Sequence, residues 1–383
     1  MDNEIAYFDN AATTFPKPEE VYSFMDTFYR RCGVNVGRGQ HKLASEASAL
    51  MEETRELLLK LFHCQNKKVI FTSTATEAIN IILQGMDVPG NACVYTSPYE
   101  HNAVTRTLHY LKKSMSFKIM QLDVDRNTLT YNLNNINTQF EKYKPYCVII
   151  SHASNVCGAI APMEKIFTMA KKYSAITIAD MCQTAGLVDT DLSSDIFDYV
   201  IFEGHKTLYG PMGIGGFIAK PTVNIPSLIY GGTGVESASP DMPDEIPVKY
   251  EAGSHNILAI SGLNASLKWM TSIGIDVIRA KEAEHRKKLL EILSDYDNIK
   301  VIAPDDGIGV ISCVFDGYSS DNIGQVLSDY NIATRTGLHC SPEAHKFLGT
   351  FPAGTVRFSV GYFNSNDDFD KLRKALDYIE ENS

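Results

Sequence analysis

Residues 199–211 read Tyr-Val-Ile-Phe-Glu-Gly-His-Lys-Thr-Leu-Tyr-Gly-Pro, a pattern typical of a buried strand that runs into a turn. The apolar start predicts the strand, and the glycines after it predict turns that continue through Gly216. The turn presents Lys206 beyond the end of the strand. A lysine in this position is a candidate Schiff-base lysine, although a loop lysine is more commonly a solvated surface residue.

A second apolar run, residues 175–180, predicts another strand that ends in Asp180, and Gln183 follows three residues later. Pyridoxal phosphate needs a lysine for its aldehyde, an acid for its ring nitrogen and a cradle for its phosphate. Lys206 and Asp180 meet the first two needs at the ends of successive strands. These strands therefore point to a pyridoxal phosphate site.

Composition limits the function classes. The chain has 383 residues, enough for two or three domains, and its 35 basic and 46 acidic residues give a net charge of -11. That balance argues against a nucleic-acid or anionic-membrane surface. No apolar run approaches the roughly 20 residues of a membrane span, and the acidic N-terminus does not resemble a signal peptide. Eight scattered cysteines without a C-x-x-C motif favour reduced thiols and a cytoplasmic location.

The segment 69–80 predicts a strand, a hydroxyl-rich turn and a helix. Thr74 and Glu77 have the spacing of a capping box. Hydroxyl groups and free N–H groups at a helix start can bind an anion. The same hydroxyls could serve only to cap the helix.

Two further polar residues follow predicted strands. His101 follows the strand at 94–96, and Asn155 follows the strand at 147–151. Strands that alternate with helices predict a parallel, doubly wound α/β sheet, and such sheets bind ligands beyond the carboxyl ends of their strands. His101 could stack on a flat ring or merely cap its helix. We expect His101 and Asn155 to lie at the same edge of the sheet as Lys206 and Asp180.

The pattern changes in the last third of the chain. Residues 222–250 are rich in proline and glycine and predict a long loop that could cross to a partner subunit. Two helical patterns, several short strands and a last helix from about Asn366 then predict a smaller α+β domain. We expect an N-terminal segment, 1–16, packed on the small domain, a large domain at 17–255 and the small domain at 256–383.

Two features of the small domain could take part in a reaction. Cys340 lies in a turn-rich loop beside His339 and near Arg335. A neighbouring cation favours the reactive thiolate form of cysteine, although most cysteines are inert core residues. A metal site with His345 is disfavoured because a fourth ligand at zinc spacing is lacking. Arg357, on the strand at 355–359, is either a surface residue or a fork for a carboxylate.

Together these features resemble the pyridoxal-phosphate cysteine desulfurases and selenocysteine lyases of the class V aminotransferase group. The resemblance covers nearly the whole chain. Residues 204–206, followed by 209–211, are similar to a motif of the wider group, and the cysteine loop at 335–342 is similar to the short loop of the Suf-type (group II) branch. The resemblance implies fold type I, the aspartate-aminotransferase-like fold, with a mostly parallel seven-stranded sheet in the large domain.

The resemblance also implies roles for the cofactor site. Lys206 would form the internal aldimine and move the substrate α-proton, while Asp180 would pair with the pyridinium nitrogen. Gln183 would contact the ring hydroxyl, His101 would stack on the ring, and Asn155 would lie near the ring hydroxyl or the substrate. The phosphate would be held by Thr74, Ala75, Thr76, His205 and, from a neighbouring subunit, Ser254.

The implied reaction converts L-cysteine to L-alanine. Arg357 would grip the substrate carboxylate, and Asn155 and His41 complete the expected substrate site. Cys340 would attack the substrate sulfur and become a persulfide that a sulfur-acceptor protein could receive. The resemblance also implies a homodimer.

Three positions depart from the group's pattern: Glu203 stands where many relatives have a phosphate-binding serine, Thr207 is an extra residue after the lysine, and Ala75 replaces a common threonine. We expect Glu203 to turn away from the phosphate, because two negative charges repel. The departures leave other functions open. These are a selenocysteine lyase, another pyridoxal-phosphate-dependent C–S lyase or aminotransferase, and a protein that binds the cofactor without catalysis.

Overall fold

The computed structural model describes residues 5–37 and 39–382. Its strands are β1 (Ala6–Tyr7), β2 (Lys68–Thr72), β3 (Cys93–Thr96), β4 (Lys118–Gln121), β5 (Pro145–Ser151), β6 (Ile176–Asp180), β7 (Tyr199–Glu203), β8 (Gly215–Ala219), β9 (Ile299–Ile302), β10 (Val310–Phe315), β11 (Ile332–Ala333), β12 (Arg335–Gly337) and β13 (Thr355–Ser359). Its helices are α1 (Glu19–Cys32), α2 (Lys42–Leu61), α3 (Ala75–Gly85), α4 (Asn102–Leu111), α5 (Leu133–Lys142), α6 (Met163–Lys171), α7 (Ile257–Ile273), α8 (Ile275–Ser294), α9 (Ser320–Asp329), α10 (Pro342–Leu348) and α11 (Asn366–Glu381).

The large sheet has seven strands in the order β2-β8-β7-β6-β5-β3-β4. All neighbouring pairs are parallel except the two made by β8, which runs antiparallel to β2 and β7. The predicted α/β class and the mostly parallel seven-stranded sheet are confirmed. Parallel strands bring their carboxyl ends to one edge, and the site lies at that edge.

Strand β7 is buried on both faces, as its apolar sequence predicts for a central parallel strand. Val200 and Phe202 pack into the core on one face of the sheet. Tyr199 and Ile201 pack into the core on the other face. Because successive side chains alternate across the sheet, β7 is fixed in register, and the turn that carries Lys206 leaves the sheet at a fixed point.

The glycine turns after Lys206 end earlier than we predicted, because Gly215 and Gly216 belong to β8. A Cβ atom on Gly216 would lie 2.2 Å from the Ile70 carbonyl oxygen, and one on Gly215 would lie 2.9 Å from the Ala75 nitrogen. The glycines permit close packing here. They do not mark a turn.

The second sheet is antiparallel, in the order β12-β13-β10-β9. It packs with α8, α9 and α11 around a separate core that includes Leu289, Ile311 and Phe358. The predicted short strands and last helix of this region are found. The N-terminal strand β1 pairs with β11, and Phe8 lies in the same core.

Helix α7 follows the domain boundary that we expected at residue 255. It contacts α1 and α2, and its Ile260 and Leu263 lie in the core of the large sheet. The boundary stays a proposal, and this packing favours a junction after α7. Across residues 5–37 and 39–382, no helix has the length and apolar character that crossing a membrane requires.

Candidate active site

A cavity with about 470 Å³ of empty space opens at the carboxyl edge of the large sheet. It lies beyond β5, β6 and β7 and is bounded by the starts of α3 and α4. Most residues expected to bind the cofactor line it: Ala75, Thr76, His101, Asn155, Asp180, Gln183 and Lys206.

The turn that carries Lys206 is held from outside the cavity. The carbonyl oxygen of His205 accepts hydrogen bonds from the Thr13 hydroxyl at 2.9 Å, the Thr14 amide at 3.2 Å and Lys17 Nζ at 2.6 Å. Burial lowers the pKa of Lys17 to about 7. These donors fix the backbone beside Lys206, and the Lys206 side chain lines the cavity. Sequence patterns did not reveal this role of residues 13–17, because the contacts span about 190 residues.

Asp180 is buried at the end of β6 and lines the cavity. Its Oδ1 accepts a hydrogen bond from the Cys182 amide at 3.0 Å. Gln183 Nε2 donates to the Ala11 carbonyl at 2.9 Å, so its side chain also anchors the N-terminal segment. A carboxylate fixed at the end of a central strand suits a partner for a protonated ring nitrogen.

His101 is the N-cap of α4, and its Nδ1 accepts a hydrogen bond from the Ala103 amide at 3.1 Å. Burial, followed by the positive charge of Lys206, lowers the pKa of His101 to about 4. The imidazole is therefore neutral near pH 7. The ring caps α4 and also lines the cavity, and its stacking on a cofactor ring stays a prediction.

The start of α3 differs from our expectation in one contact. Thr74 Oγ1 accepts a hydrogen bond from the Glu77 amide at 3.2 Å, as predicted. The Glu77 carboxylate, however, accepts a hydrogen bond from the Ser73 amide at 2.8 Å. The predicted cap at Thr74 is present, and its reciprocal bond lies one residue earlier than in a standard capping box.

Glu203 faces the start of α3, and our expectation that it turns away is wrong. Its Oε2 accepts a hydrogen bond from the Ala75 amide at 2.8 Å, and the residue lines the cavity. The N–H groups and positive dipole end of a helix start attract a carboxylate. Burial, the largest effect, raises the pKa of Glu203 to about 7.

Cys340 lies between β12 and α10, in a groove that adjoins the cavity. Arg335 Nη2 donates to its sulfur at 3.5 Å, and the Asn102 amide donates to its carbonyl at 2.7 Å. Its φ of +60° is left-handed, a conformation that often marks functional positions. Cys340 lines a groove that shares Thr76, His101 and Ala103 with the cavity.

Asn155 joins the two domains. Its Nδ2 donates to the His339 carbonyl at 2.8 Å, and its Oδ1 accepts from the Ser341 hydroxyl at 2.8 Å. These bonds hold the residues on either side of Cys340. Asn155 is thus an anchor of the cysteine loop, and its contact with cofactor or substrate stays a prediction.

Arg357 is 1% exposed, and the cavity lining does not include it. Its Nη2 pairs with Asp9 Oδ1 at 2.6 Å, and its Nη1 donates to the Asn155 carbonyl at 3.0 Å. Its Nε has no hydrogen-bond partner among residues 5–37 and 39–382. The role of Arg357 towards a substrate carboxylate stays a prediction.

Besides Cys340 and Arg357, four expected residues lie outside the cavity lining, namely His41, Ser254, His205 and Thr74, the cap of α3 described above. His41 is exposed and caps α2, where its Nδ1 accepts from the Ala44 amide at 3.2 Å. Ser254 is exposed and lines a separate pocket with Ser73. His205 is half-buried, with its Nε2 3.8 Å from Glu203 Oε1. Their roles also stay predictions.

Glu100 is a residue that sequence reasoning missed. Its buried carboxyl group accepts from the Ser97 hydroxyl at 2.5 Å and from the Ser151 amide at 2.9 Å, so it ties the end of β3 to the end of β5. Burial raises its pKa to about 7. The Ser-x-x-Glu spacing after β3 was the available signal. In the described part of the chain, no group of three or more His, Cys, Asp or Glu residues could hold a metal ion.

The model of the family described as Aminotransferase class-V matches residues 6–372. The chain belongs to this family. Class-V aminotransferases depend on pyridoxal phosphate, as the residues at the carboxyl edge predicted. The family prediction is confirmed, whereas assignment to the Suf-type branch stays a prediction.

Similar class-V proteins carry desulfurase names. A probable cysteine desulfurase of Pyrococcus abyssi is 31% identical, over 99% of this chain and 95% of that protein. One from Haemophilus influenzae is 30% identical, over 99% of this chain and 87% of that protein. The apo structure of the cysteine desulfurase from Thermococcus onnurineus NA1 matches with a TM-score of 0.92 and 27% identity, over 100% of this chain and 96% of that chain.

The cavity of this class-V protein fits pyridoxal phosphate at its ring end. Lys206, Asp180 and the flat His101 ring line one space, as the cofactor's aldehyde, nitrogen and ring face require. At the phosphate end, the capped start of α3 supplies hydroxyls and amides. Glu203 already bonds the Ala75 amide there, and its Oε1 has no hydrogen-bond partner among residues 5–37 and 39–382.

Proposed function

We propose that this class-V protein is a pyridoxal-phosphate-dependent cysteine desulfurase that converts L-cysteine to L-alanine and leaves the sulfur on Cys340. The observation that carries the proposal is the position of Cys340. Its groove shares Thr76, His101 and Ala103 with the cavity that Lys206 lines. A thiol in a groove that adjoins a lysine-bearing cavity can meet the sulfur of a small amino acid bound inside.

Each residue has a defined task in this proposal. Lys206 attaches the cofactor, and its Nζ then moves the substrate α-proton. Asp180 keeps the ring nitrogen protonated, and His101 covers one ring face. When bound, pyridoxal phosphate acts as an electron sink for the substrate α-carbon. Arg357, Asn155 and His41 form the proposed substrate site.

Cys340 carries the sulfur step. Its thiolate attacks the substrate sulfur, so a sulfur–sulfur bond forms while the carbon–sulfur bond breaks. The electron pair of the broken bond stays with the substrate β-carbon, which takes up a proton and becomes the methyl group of alanine. One cysteine and one thiol thus give one alanine and one persulfide, without an external oxidant or reductant. Arg335 Nη2 donates a hydrogen bond to the sulfur at 3.5 Å and helps to fix its position.

The proposal extends to partners. A persulfide on an accessible loop requires an acceptor, and we propose a sulfur-acceptor protein. We also propose a homodimer in which Ser254 helps to hold the partner's phosphate. Exposed apolar side chains on neighbouring loops, Met212, Ile229 and Tyr230, support an interface there. The eight free thiols support a cytoplasmic location.

A visible absorption spectrum of the purified protein tests the cofactor part. We expect a band of lysine-attached pyridoxal phosphate that shifts on addition of L-cysteine, with alanine formed in the same tube. Lys206→Ala should lack the band and form no alanine. Lys220→Ala, a change on the half-buried lysine after β8, is the matched control and should keep both. A protein that binds no pyridoxal phosphate when it is added would contradict the proposal.

A further inference from the structure

The two carboxyl oxygens of Glu203 have different surroundings. Oε2 accepts the Ala75 amide at 2.8 Å, at the first residue of α3. Oε1 is buried and has no hydrogen-bond partner among residues 5–37 and 39–382. His205 Nε2 lies 3.8 Å from Oε1, beyond hydrogen-bond distance. A buried acceptor without a hydrogen-bond partner costs free energy. A ligand that forms a hydrogen bond with this oxygen would therefore stabilise the site.

The protonation state of Glu203 decides which ligand fits. An ionised carboxylate beside Ala75 and Thr76 would repel a phosphate at the start of α3. A neutral acid can keep Oε2 as the acceptor for the amide and carry its proton on Oε1. That O–H group could then donate to an anionic oxygen, as buried neutral carboxylic acids do in other sites.

We propose that Glu203 binds the cofactor phosphate as a neutral carboxylic acid, so that cofactor uptake brings one proton into the site. This inference rests on the proposed function, because it takes pyridoxal phosphate as the ligand. It makes Glu203 part of the phosphate cradle together with the amides and hydroxyls at the start of α3.

The charged and titratable groups around Glu203 decide the pH range. Lys206 on the following turn favours the carboxylate, and Asp180 on β6 opposes it. His205 is neutral near pH 7, because burial lowers its pKa to about 4. Cys182, after β6, is protonated, because burial raises its pKa well above its usual value. With burial dominant, the pKa of Glu203 is raised to about 7, and a bound phosphate would raise it further.

Equilibrium titration with pyridoxal phosphate between pH 6 and 8.5 tests the inference. We compare wild type with Glu203→Gln and Glu203→Ser, which keep a donor but cannot ionise. The ratio of the wild-type Kd to the variant Kd should be constant below pH 7. Above pH 7 this ratio should rise by up to about tenfold per pH unit, because the wild type must then take up one proton on binding. The ionisation of free pyridoxal phosphate is the same for every protein and cancels in the ratio.

Calorimetry gives a second readout that does not depend on the shape of the binding curve. At pH 8, in two buffers of different ionisation enthalpy, wild type should take up about one more proton per pyridoxal phosphate than Glu203→Gln. Pyridoxal, which lacks the phosphate, should show no such difference. Equal proton uptake, or a pH-independent Kd ratio, overturns the inference and leaves the proposed function standing. If no protein binds pyridoxal phosphate at any pH, the proposed function itself fails.

Discussion

At the scale of single residues, Cys340 differs from the other cysteines of the chain. Seven of the eight cysteines are buried, whereas Cys340 is half-buried and contacts Arg335. Burial raises the pKa of Cys147 and Cys313 to values at which the thiolate is negligible at neutral pH. Exposure and a nearby cation are the conditions for a reactive thiol. Only Cys340 meets both among the described residues.

Replacement of Cys340 by alanine separates a desulfurase from a lyase. We expect Cys340→Ala to keep the cofactor band but to lose alanine formation from L-cysteine by at least about 100-fold, because the sulfur acceptor is gone. Cys64→Ala, a change far from the cavity lining, should keep activity. Turnover of L-selenocysteine that survives while cysteine turnover is lost would favour a selenocysteine lyase.

Sequence predicted some site residues better than others. Lys206, Asp180 and His101 were predictable because each follows a strand, and parallel strands end at one edge. Glu203 was predicted wrongly, because charge repulsion from a ligand was considered without the helix start that attracts the carboxylate. The support of Lys206 by Lys17 depends on distant chain segments, and no local pattern reports such contacts.

At the scale of elements, the start of α3 and strand β8 form one packed unit. The periodicity of α3 predicted its helix, but the glycines of β8 obscured the strand because they have no apolar side chain to count. A Cβ atom at Gly215 would lie 2.9 Å from the Ala75 nitrogen and 3.0 Å from the Thr74 carbonyl carbon, both backbone atoms. The strand therefore sets the position of the helix start.

We expect Gly215→Ala to push the start of α3 away from β8. The change should weaken pyridoxal phosphate binding by roughly tenfold and lower stability by about 1–3 kcal/mol, the usual cost of overpacking. Equilibrium binding and thermal unfolding measure the two effects. Gly90→Ala is the matched control, since a Cβ there meets nothing within 4 Å. Equal behaviour of the two variants would contradict the close packing.

At the scale of the whole molecule, Glu282 on α8 is a buried carboxyl group whose ionisation affects the stability of the fold. The residue is 7% exposed and accepts the Gly309 amide at 3.1 Å. Burial raises its pKa to about 7 from the usual 4.5. Between these pH values the folded state binds more protons than the unfolded state. The contribution of Glu282 to the free energy of unfolding is therefore fully present below pH 4.5 and is lost as the pH rises through 7.

Glu282→Gln should isolate that effect. Glutamine keeps the acceptor for Gly309 and cannot ionise, so its stability relative to wild type should increase between pH 4.5 and 7, by up to about 3 kcal/mol. Urea unfolding at several pH values measures the difference. Glu284→Gln, at an exposed position on the same helix, is the control and should show no such trend. A constant difference across this range would contradict the assignment.

The presence of a second sheet in the last third of the chain was predictable, because the hydrophobic pattern changes after residue 250; the division into a large and a small domain stays a prediction. The position of the junction between them was harder to predict. Helix α7 has the apolar sequence of a buried helix, which could pack against either sheet. The position of the loop that carries Cys340 depends on a distant part of the chain, because Asn155 anchors the residues on either side of Cys340. That arrangement follows from long-range packing, which sequence patterns do not encode locally.

The most direct test of the central claim is a single turnover with L-cysteine and no reductant. Protein loaded with pyridoxal phosphate is mixed with one equivalent of L-cysteine per subunit, quenched, and analysed for alanine and for the mass of the peptide that contains Cys340. We predict about one alanine per subunit and one added sulfur atom on Cys340. Alanine formed with an unmodified Cys340, or sulfide released in equal amount from Cys340→Ala, would contradict it.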